Sequence, residues 1–337
     1  MQDVTKRIGA ADPHRLDALR TSVLRRTGDI LLRWREASIL LACVLLAAYF
    51  QSTSSTFLSV SNIQNLIDFT ATTAIIAAGE VMVLVCGELD LSVGMVYALV
   101  PFIMHFLVAD GLPQGAAIAL ALAAAGLIGL VNGAITTLLS VPAFVTTLGT
   151  MFLINGLTLT VSGGFPVEPH ASAAFTMAFG GVAWTRLAWA LAIAIVLQFV
   201  LNRTRFGLHT IATGGNLVAT SEVGIKVTSV KICNFVLCSI LGGFAGVIDA
   251  FRIGSIDPLA GGSEIMFMAI ASAVIGGTLL TGGSGTVIGA LALGILQDGF
   301  TLSGVSAFTF DMILGAAILV TMAVNVRLTM WRERGSG

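Results

Sequence analysis

One stretch of the chain decides the topology, because in it an apolar segment, a basic loop and a second apolar segment follow one another. Residues 184–202 read WTRLAWALAIAIVLQFVLN, residues 203–231 read RTRFGLHTIATGGNLVATSEVGIKVTSVK, and residues 232–251 read ICNFVLCSILGGFAGVIDAF. A membrane-spanning helix needs about 20 mostly apolar residues, and both flanking segments provide that length. Since Lys and Arg collect on cytoplasmic flanks, we predict that the loop 203–231 lies in the cytoplasm.

The composition of the whole chain also indicates a membrane protein. Of its 337 residues, 56% are hydrophobic and 10% are charged, whereas soluble domains carry about 25% charged residues. So much apolar surface is expected to face a lipid bilayer. The sequence predicts an all-α, polytopic integral membrane protein with about ten transmembrane helices, at residues 37–56, 69–87, 92–109, 115–139, 142–162, 184–202, 232–251, 265–281, 285–301 and 308–326.

The positive charges test this count. All but two of the 17 Lys and Arg residues lie before residue 37, in the loop 203–231 or after residue 326; the exceptions are Arg186 and Arg252. Six predicted spans separate the first segment from the loop and four separate the loop from the tail, so both termini are predicted to be cytoplasmic. The predicted organisation is a cytoplasmic arm (1–36), a transmembrane domain (37–326) and a cytoplasmic tail (327–337).

Two pairs of spans are separated only by short breaks, at Glu88–Leu91 and at Gly282–Ser284. Each pair is either a tight hairpin of two full crossings or a broken helix. One pair lies in each half of the chain, and paired breaks can mark an internal repeat around a transport path. The residues alone leave both interpretations open.

Glycine is abundant, with 38 residues. In lipid, helices associate mainly through close packing of small residues. Three G-x-x-x-G patterns place two glycines on one helix face and predict packing seams at Gly129 and Gly133, Gly242 and Gly246, and Gly285 and Gly289.

Motifs for chemistry are missing from the sequence. It contains no phosphate-binding loop with its lysine, no Ser/His/Asp set, no Cys or His cluster with metal spacing and no basic–aromatic patch for nucleic acid. We therefore expect no enzymatic activity, no metal, no cofactor and no nucleic-acid partner.

Acidic residues in or at the ends of predicted spans are the next signal: Glu80 lies in mid-span, Glu88 and Asp90 lie at a span end, and Asp249 lies late in its span. A carboxylate at the bilayer centre costs about 2.5–3.5 kcal/mol on insertion scales, so such groups usually face the bundle interior. They are interpreted either as a polar lining for a hydroxylated solute, as a proton relay, or as structural hydrogen-bonding groups. For Asp90 the sequence Asp90-Leu91-Ser92 favours a cap for a helix that runs from residue 92.

Within the basic loop, residues 217–223 are predicted to form two helical turns between Asn216, a good N-cap, and Gly224, a good stop. Such a helix is either a docking element for a soluble partner or part of an ordinary connection.

The chain resembles the ribose-type permeases of bacterial ABC sugar importers over about residues 37–325. The resemblance rests on a series of short motifs in a fixed order. They are Ala78-Gly79-Glu80, the run Gly87–Gly94, the run Pro142–Thr150, Asn155-Gly156, Thr204–Gly207, Gly214-Gly215-Asn216, Gly276-Gly277-Thr278 and Gly283-x-Gly285-Thr286.

The resemblance implies a permease subunit in the bacterial inner membrane that moves a sugar or polyol by alternating access. It implies three partners: a second permease copy or paralogue, a cytoplasmic ABC ATPase and a periplasmic solute-binding protein. It also implies an ATPase-coupling segment, comprising Gly214, Gly215, Asn216, Leu217, Ala219, Ser221, Glu222 and Gly224. For the substrate path the candidates are Glu80, Asp90, Ser92, Asn155 and Thr278.

Two departures from the family pattern affect these expectations. Leu217 and Ser221 stand where the coupling segment usually has an acidic residue and an arginine, and Met266–Met268 replaces an acidic pair, with Glu264 two residues earlier. The alternatives to an ABC permease are a secondary transporter that couples to ions through Glu80 and Asp249, and a channel or membrane scaffold.

Overall fold

A computed structural model describes residues 35–278, 289–306 and 312–320, together with Thr309, Ala323 and Arg327. The predicted N-terminal arm, the C-terminal tail and the Gly282–Ser284 break therefore lie wholly or almost wholly outside the described residues. Within them, regular structure is helical except for one isolated bridge between Val167 and Ile256.

The helices follow the apolar pattern of the sequence. They are α1 (Arg35–Thr53), α2 (Val60–Val85), α3 (Val93–Ala109), α4 (Gln114–Leu138), α5 (Ala143–Ser162), α6 (Ala173–Phe179), α7 (Ala183–Arg203), α8 (Arg205–Gly215), α9 (Leu217–Glu222), α10 (Val227–Ile253), α11 (Ser263–Ile275) and α12 (Gly289–Leu302). Residues 312–320 are also helical.

Five of these helices, α2, α4, α5, α7 and α10, are long and apolar enough to cross a bilayer, and α1, α3, α11 and α12 contain shorter apolar helices. The prediction of an all-α membrane protein is confirmed. The count of ten crossings and the side on which each terminus lies stay predictions.

The bundle is built around α2 and α10, the two most enclosed of the long helices. Helix α10 packs against α2, α3 and α4, while α2 also contacts α7, α11 and α12. By contrast, α5 and α7 leave large apolar side chains exposed, such as Leu153, Ile195 and Phe199. These apolar faces can contact lipid or a second copy of the chain, since neither contact requires polar groups.

Helix α3 begins about halfway up the bundle. Glu88 forms an ion pair with Lys231 in the second turn of α10. Val93, in contrast, packs against Gly242. Gly242 lies fifteen residues after the start of α10, which is about 22 Å along the helix at 1.5 Å per residue. The segment between Glu88 and Val93 climbs between these levels without helical structure, and Asp90 and Ser92 within it are fully buried. This geometry favours the broken-helix interpretation for the first pair of spans.

Helix α11 begins against the same point. The backbone N–H of Gly262 donates a hydrogen bond to the carbonyl oxygen of Gly94 (3.1 Å). A Cβ atom added to Gly94 would lie 2.2 Å from the Gly262 carbonyl oxygen, and one added to Gly261 would lie 2.2 Å from that of Gly94. The two helix starts therefore meet backbone to backbone, at a separation that only glycine permits.

Glycines also allow the close approach of α4 and α3 to α10. A Cβ atom at Gly129 would lie 2.4 Å from the Phe235 carbonyl oxygen, and one at Gly133 would lie 2.8 Å from the Cα atom of Ile232. A Cβ atom at Gly246 would lie 2.1 Å from the Tyr97 carbonyl oxygen. Of the third glycine pair, Gly289 begins α12 and Gly285 lies outside the described residues.

Candidate functional site

A polar cleft of about 220 Å³ opens between α2, α3, α10, α11 and α12, at the end of α10 away from the basic loop. We call it the outer cleft. Four of its polar side chains carry charge and four are neutral. They are Asp68, Asp249, Arg252 and Glu264, and Thr72, Thr73, Tyr97 and Gln297.

Two arginines neutralise two of the carboxylates at this end of the bundle. The buried guanidinium of Arg186 on α7 pairs with Asp68 on α2 and also donates to the carbonyl oxygen of Gly180. Arg252 pairs with Asp249 within α10, and the hydroxyl of Tyr97 donates to the second oxygen of Asp249. The Arg186–Asp68 pair thus ties α2 to α7, and the hydrogen bond from Tyr97 to Asp249 ties α3 to α10.

A second polar cluster lies deeper, where α3 begins. Asp90 accepts hydrogen bonds from the backbone N–H (2.9 Å) and the hydroxyl (2.6 Å) of Ser92. Asn132 of α4 donates to the Ser92 hydroxyl (2.8 Å), and Thr150 of α5 donates to Asn132 (2.7 Å). This chain of hydrogen bonds fixes the start of α3 against two neighbouring helices, and Asp90 bonds to Ser92, the residue just before the first helical residue Val93.

Glu80 belongs to the same cluster. It is fully buried, its carboxylate accepts from the thiol of Cys238 (3.7 Å), and it lies against the backbone of Asp90. One oxygen of Glu80 and one of Asp90 have no hydrogen-bond partner within the described residues.

The structure therefore brings together three of the five predicted path residues, Glu80, Asp90 and Ser92, but none of them lines the outer cleft. Asn155 is half-buried on α5, and Thr278 is fully buried after the end of α11. Neither makes a side-chain hydrogen bond within the part of the chain that the structure describes.

The basic loop contains two short helices. In α8, the backbone N–H of Gly207 donates to the Thr204 hydroxyl (3.2 Å). In α9, the N–H of Ala219 donates to the Asn216 side chain (3.0 Å), and Gly224 follows with a left-handed backbone, φ +84°. The predicted helix between the Asn216 cap and the glycine stop is confirmed.

Helix α9 is attached on one side and exposed on the other. The buried Thr220 hydroxyl donates to the carbonyl oxygen of Ala212 in α8 (2.8 Å), while Leu217 is 46% exposed and Val218 is 63% exposed. Gly214, at the end of α8, packs closely against Val85 at the end of α2. A Cβ atom added to Gly214 would lie 1.9 Å from the Val85 carbonyl oxygen. Helix α9 is thus connected to a central helix of the bundle.

A second cleft, of about 430 Å³, lies at this end of the molecule between α9, the start of α10 and the α4–α5 loop. We call it the inner cleft. Leu217 of α9 and the ion pair of Glu88 and Lys231 line it. Both partners of the pair are largely buried, with side-chain exposures of 16% and 14%.

Sequence reasoning missed Asp68, Tyr97, Arg252 and Gln297 as site residues. A usable signal was present, because Arg186 and Arg252 are the two basic residues outside the three basic segments. A cation in an apolar segment needs a partner, and both arginines have one in the structure.

A polar cleft at one end of an apolar helical bundle and a capped, exposed helix at the other are consistent with a transport protein. The chain belongs to the family described as "branched-chain amino acid transport system / permease component", whose model matches residues 62–322. It is a permease subunit of a binding-protein-dependent importer and a multi-pass protein of the inner membrane.

Among curated relatives, the chain is 36% identical over 302 residues to the xylose/arabinose import permease protein XylH of Sulfolobus acidocaldarius, covering 86% of this chain and 84% of the relative. It is 35% identical over 306 residues to the ribose import permease protein RbsC of Escherichia coli K12, covering 86% and 93%. The autoinducer 2 import system permease protein LsrC of Photorhabdus luminescens is 31% identical over 304 residues, covering 87% and 90%. No solved structure matches the chain.

Proposed function

We propose that this permease imports a monosaccharide or a related polyol by alternating access, and that a separate cytoplasmic ABC ATPase supplies the energy. The observation that carries the proposal is the arrangement of one polar cleft and one exposed docking helix at opposite ends of the same bundle. A solute-binding protein on the outer side would deliver the solute.

Two lines of support favour a sugar or polyol. Relatives covering most of the chain are named for xylose and arabinose and for ribose. The outer cleft is also lined by two threonines and by Gln297, besides its charged groups. Hydroxylated solutes match such groups, whereas the branched-chain amino acids of the family description carry an apolar side chain that would leave them unpaired.

The energy for import would come from outside this chain. Its sequence has no phosphate-binding loop, so ATP hydrolysis requires another subunit. Exposed apolar side chains on α9, among them Leu217 and Val218, give such a subunit a surface to bind. The proposed coupling segment is the predicted set, Gly214, Gly215, Asn216, Leu217, Ala219, Ser221, Glu222 and Gly224.

Two contacts would transmit movement of α9 into the bundle. Gly214 lies against the end of α2 at Val85, and Lys231, in the second turn of α10, pairs with Glu88 in the α2–α3 connection. We infer that movement of α9 displaces the buried start of α3. The closed polar cluster of Glu80, Asp90 and Ser92 would then become part of the path, with Asn155 and Thr278 as its further members.

We expect the functional unit to contain two permeases, either two copies of this chain or this chain with a paralogue. The exposed apolar faces of α5 and α7 are compatible with a second subunit or with lipid.

Reconstitution tests the proposal. The chain is placed in proteoliposomes with its ATPase and binding protein, and uptake of labelled D-ribose and D-xylose is followed. Uptake should require ATP hydrolysis and stop when a hydrolysis-deficient ATPase is used. Uptake that continues with this ATPase would contradict the proposal, and its collapse with an ionophore would then identify an ion-coupled transporter. Flux that does not saturate would identify a channel.

A further inference from the structure

We propose that the outer cleft is a binding subsite of the permease itself for one neutral monosaccharide, with Thr72 and Gln297 as its hydrogen-bonding residues. The proposal rests on the proposed function and assigns a solute site to this chain, separate from the site of any binding protein. Size, free hydrogen-bonding groups and charge each support it.

The volume of the cleft suits a single sugar ring. The cleft has a volume of about 220 Å³. A pentose or hexose fits this volume. Five helices form the walls, so a bound sugar would be surrounded by protein on several sides.

Two polar side chains that line the cleft make no side-chain hydrogen bond within the described residues. Thr72 is 4% exposed, and its hydroxyl has no hydrogen-bond partner within the described residues. The side chain of Gln297 likewise makes no hydrogen bond to that part of the chain. Thr73 lies next to Thr72 on α2, and its hydroxyl already donates a hydrogen bond to the Phe69 carbonyl oxygen (3.0 Å). A buried polar group is costly when unpaired, and a polar ligand in the cleft that Thr72 lines could supply the missing partner.

The charges in and beside the cleft select against anions. Asp68 is paired with Arg186, and Asp249 is paired with Arg252 and also accepts from Tyr97. Neither arginine is therefore free to bind a carboxylate. Glu264, which is exposed, forms no ion pair within the described residues and adds negative charge.

The remaining surface favours a sugar among neutral solutes. Phe69 is 42% exposed and lines the cleft beside Ile265, so apolar surface is available for the C–H groups of a sugar ring. Hydroxyl groups on the same ring could pair with Thr72 and Gln297. An apolar solute would leave both of these groups unpaired.

The first test measures coupling in the reconstituted importer with its binding protein saturated by D-ribose or D-xylose. Gln297→Leu should lower the sugar transported per ATP by about five-fold, as expected for the loss of one hydrogen bond, while the ATPase rate stays within about two-fold. The matched control is Gln198→Leu on α7, which lies outside the cleft and should transport normally. Equal transport by the two variants would overturn the proposal.

The second test detects binding directly in the purified full-length importer. Thr73→Cys is introduced in a Cys233→Ala background, because Cys233 is the exposed native cysteine of the described residues, and its labelling by a thiol reagent is timed. D-ribose, D-xylose or L-arabinose at high millimolar concentration should slow the reaction at least about five-fold, and leucine should not. The control is Ser172→Cys, at the same end of the molecule but outside the cleft, where sugars should have no effect.

Labelling of Thr73→Cys that none of the three sugars slows, or that leucine slows instead, would overturn the subsite. ATP-driven uptake by the same preparation would leave the proposed function intact in that case, so the two failures are distinguishable.

Discussion

Gly262 and Gly94 are joined by a backbone hydrogen bond of 3.1 Å between the N–H of Gly262 and the carbonyl oxygen of Gly94. The bond connects the starts of α11 and α3, so two helices begin at one buried point. Free N–H groups at a helix start carry partial positive charge, and broken helices of this kind surround the solute path in other transporter folds. The geometry places this point between the outer cleft and the polar cluster around Asp90.

The close contact at Gly94 gives the first prediction. Gly94→Ala should lower stability by about 1–3 kcal/mol, the usual cost of overpacking, because the new Cβ atom would lie 2.2 Å from the Gly262 carbonyl oxygen. Thermal unfolding of the purified protein in detergent measures the effect. The matched control is Gly149→Ala on α5, where nothing lies within 4 Å and stability should be unchanged or slightly higher. Equal melting temperatures for the two variants would contradict the contact.

The ion pair of Arg186 and Asp68 gives the second prediction. Arg186→Met should destabilise the protein by about 3 kcal/mol, because it leaves the Asp68 carboxylate, 24% exposed, without its partner. The double variant Asp68→Leu with Arg186→Met should recover much of the loss, since replacing both members of a buried pair by apolar residues is often neutral. Melting temperatures of the single and double variants measure this coupling, and strictly additive losses would count against the pair.

The third prediction concerns Glu88 and Lys231. Lys231→Glu should abolish most ATP-driven uptake, because it places two carboxylates together in a largely buried position and separates the α2–α3 connection from α10. Exchanging the two residues, with Glu88→Lys and Lys231→Glu in one chain, should restore a substantial part of the uptake. If the double variant takes up no more solute than Lys231→Glu alone, the loss of uptake is not caused by the loss of the ion pair.

The fourth prediction concerns the docking surface of α9. Val218→Glu should lower uptake at least about ten-fold and remove stimulation of the ATPase by the loaded binding protein, because it introduces a charge into an apolar contact. Membrane insertion and melting temperature should not change, since Val218 is 63% exposed. The control is Leu139→Glu, at a similarly exposed position on the α4–α5 connection. If Leu139→Glu uncouples the complex and Val218→Glu does not, the docking site has been assigned to the wrong loop.

The sequence predicted the helices well because lipid imposes a simple requirement of length and apolarity on each span. It placed the start of the second helix at residue 69, whereas α2 begins at Val60. The additional turns contain Asn62 and Asp68, whose polarity argues against a span. In the structure, these residues pair with Asp298 and Arg186, which lie far away in sequence, and no local pattern reveals such partners.

The site was harder to predict than the fold for the same reason. The cap at Asn216 and the stop at Gly224 are local features, and the predicted helix between them is present as α9. The outer cleft instead forms where five helices meet, and its polar residues come from segments as distant as Thr72 and Gln297. Hydropathy alone cannot bring such residues together, although the isolated arginines Arg186 and Arg252 indicated that polar partners were present.

The central claim is that α9 lies on the cytoplasmic side and that the outer cleft opens on the opposite side. Single cysteines at Ser221 and Ser172, each in a Cys233→Ala background, can be labelled with a membrane-impermeant maleimide in right-side-out and inside-out vesicles. Ser221→Cys should react only in inside-out vesicles and Ser172→Cys only in right-side-out vesicles. Reaction of Ser221→Cys from the outer side would contradict the account, because an ATPase in the cytoplasm could not then reach α9.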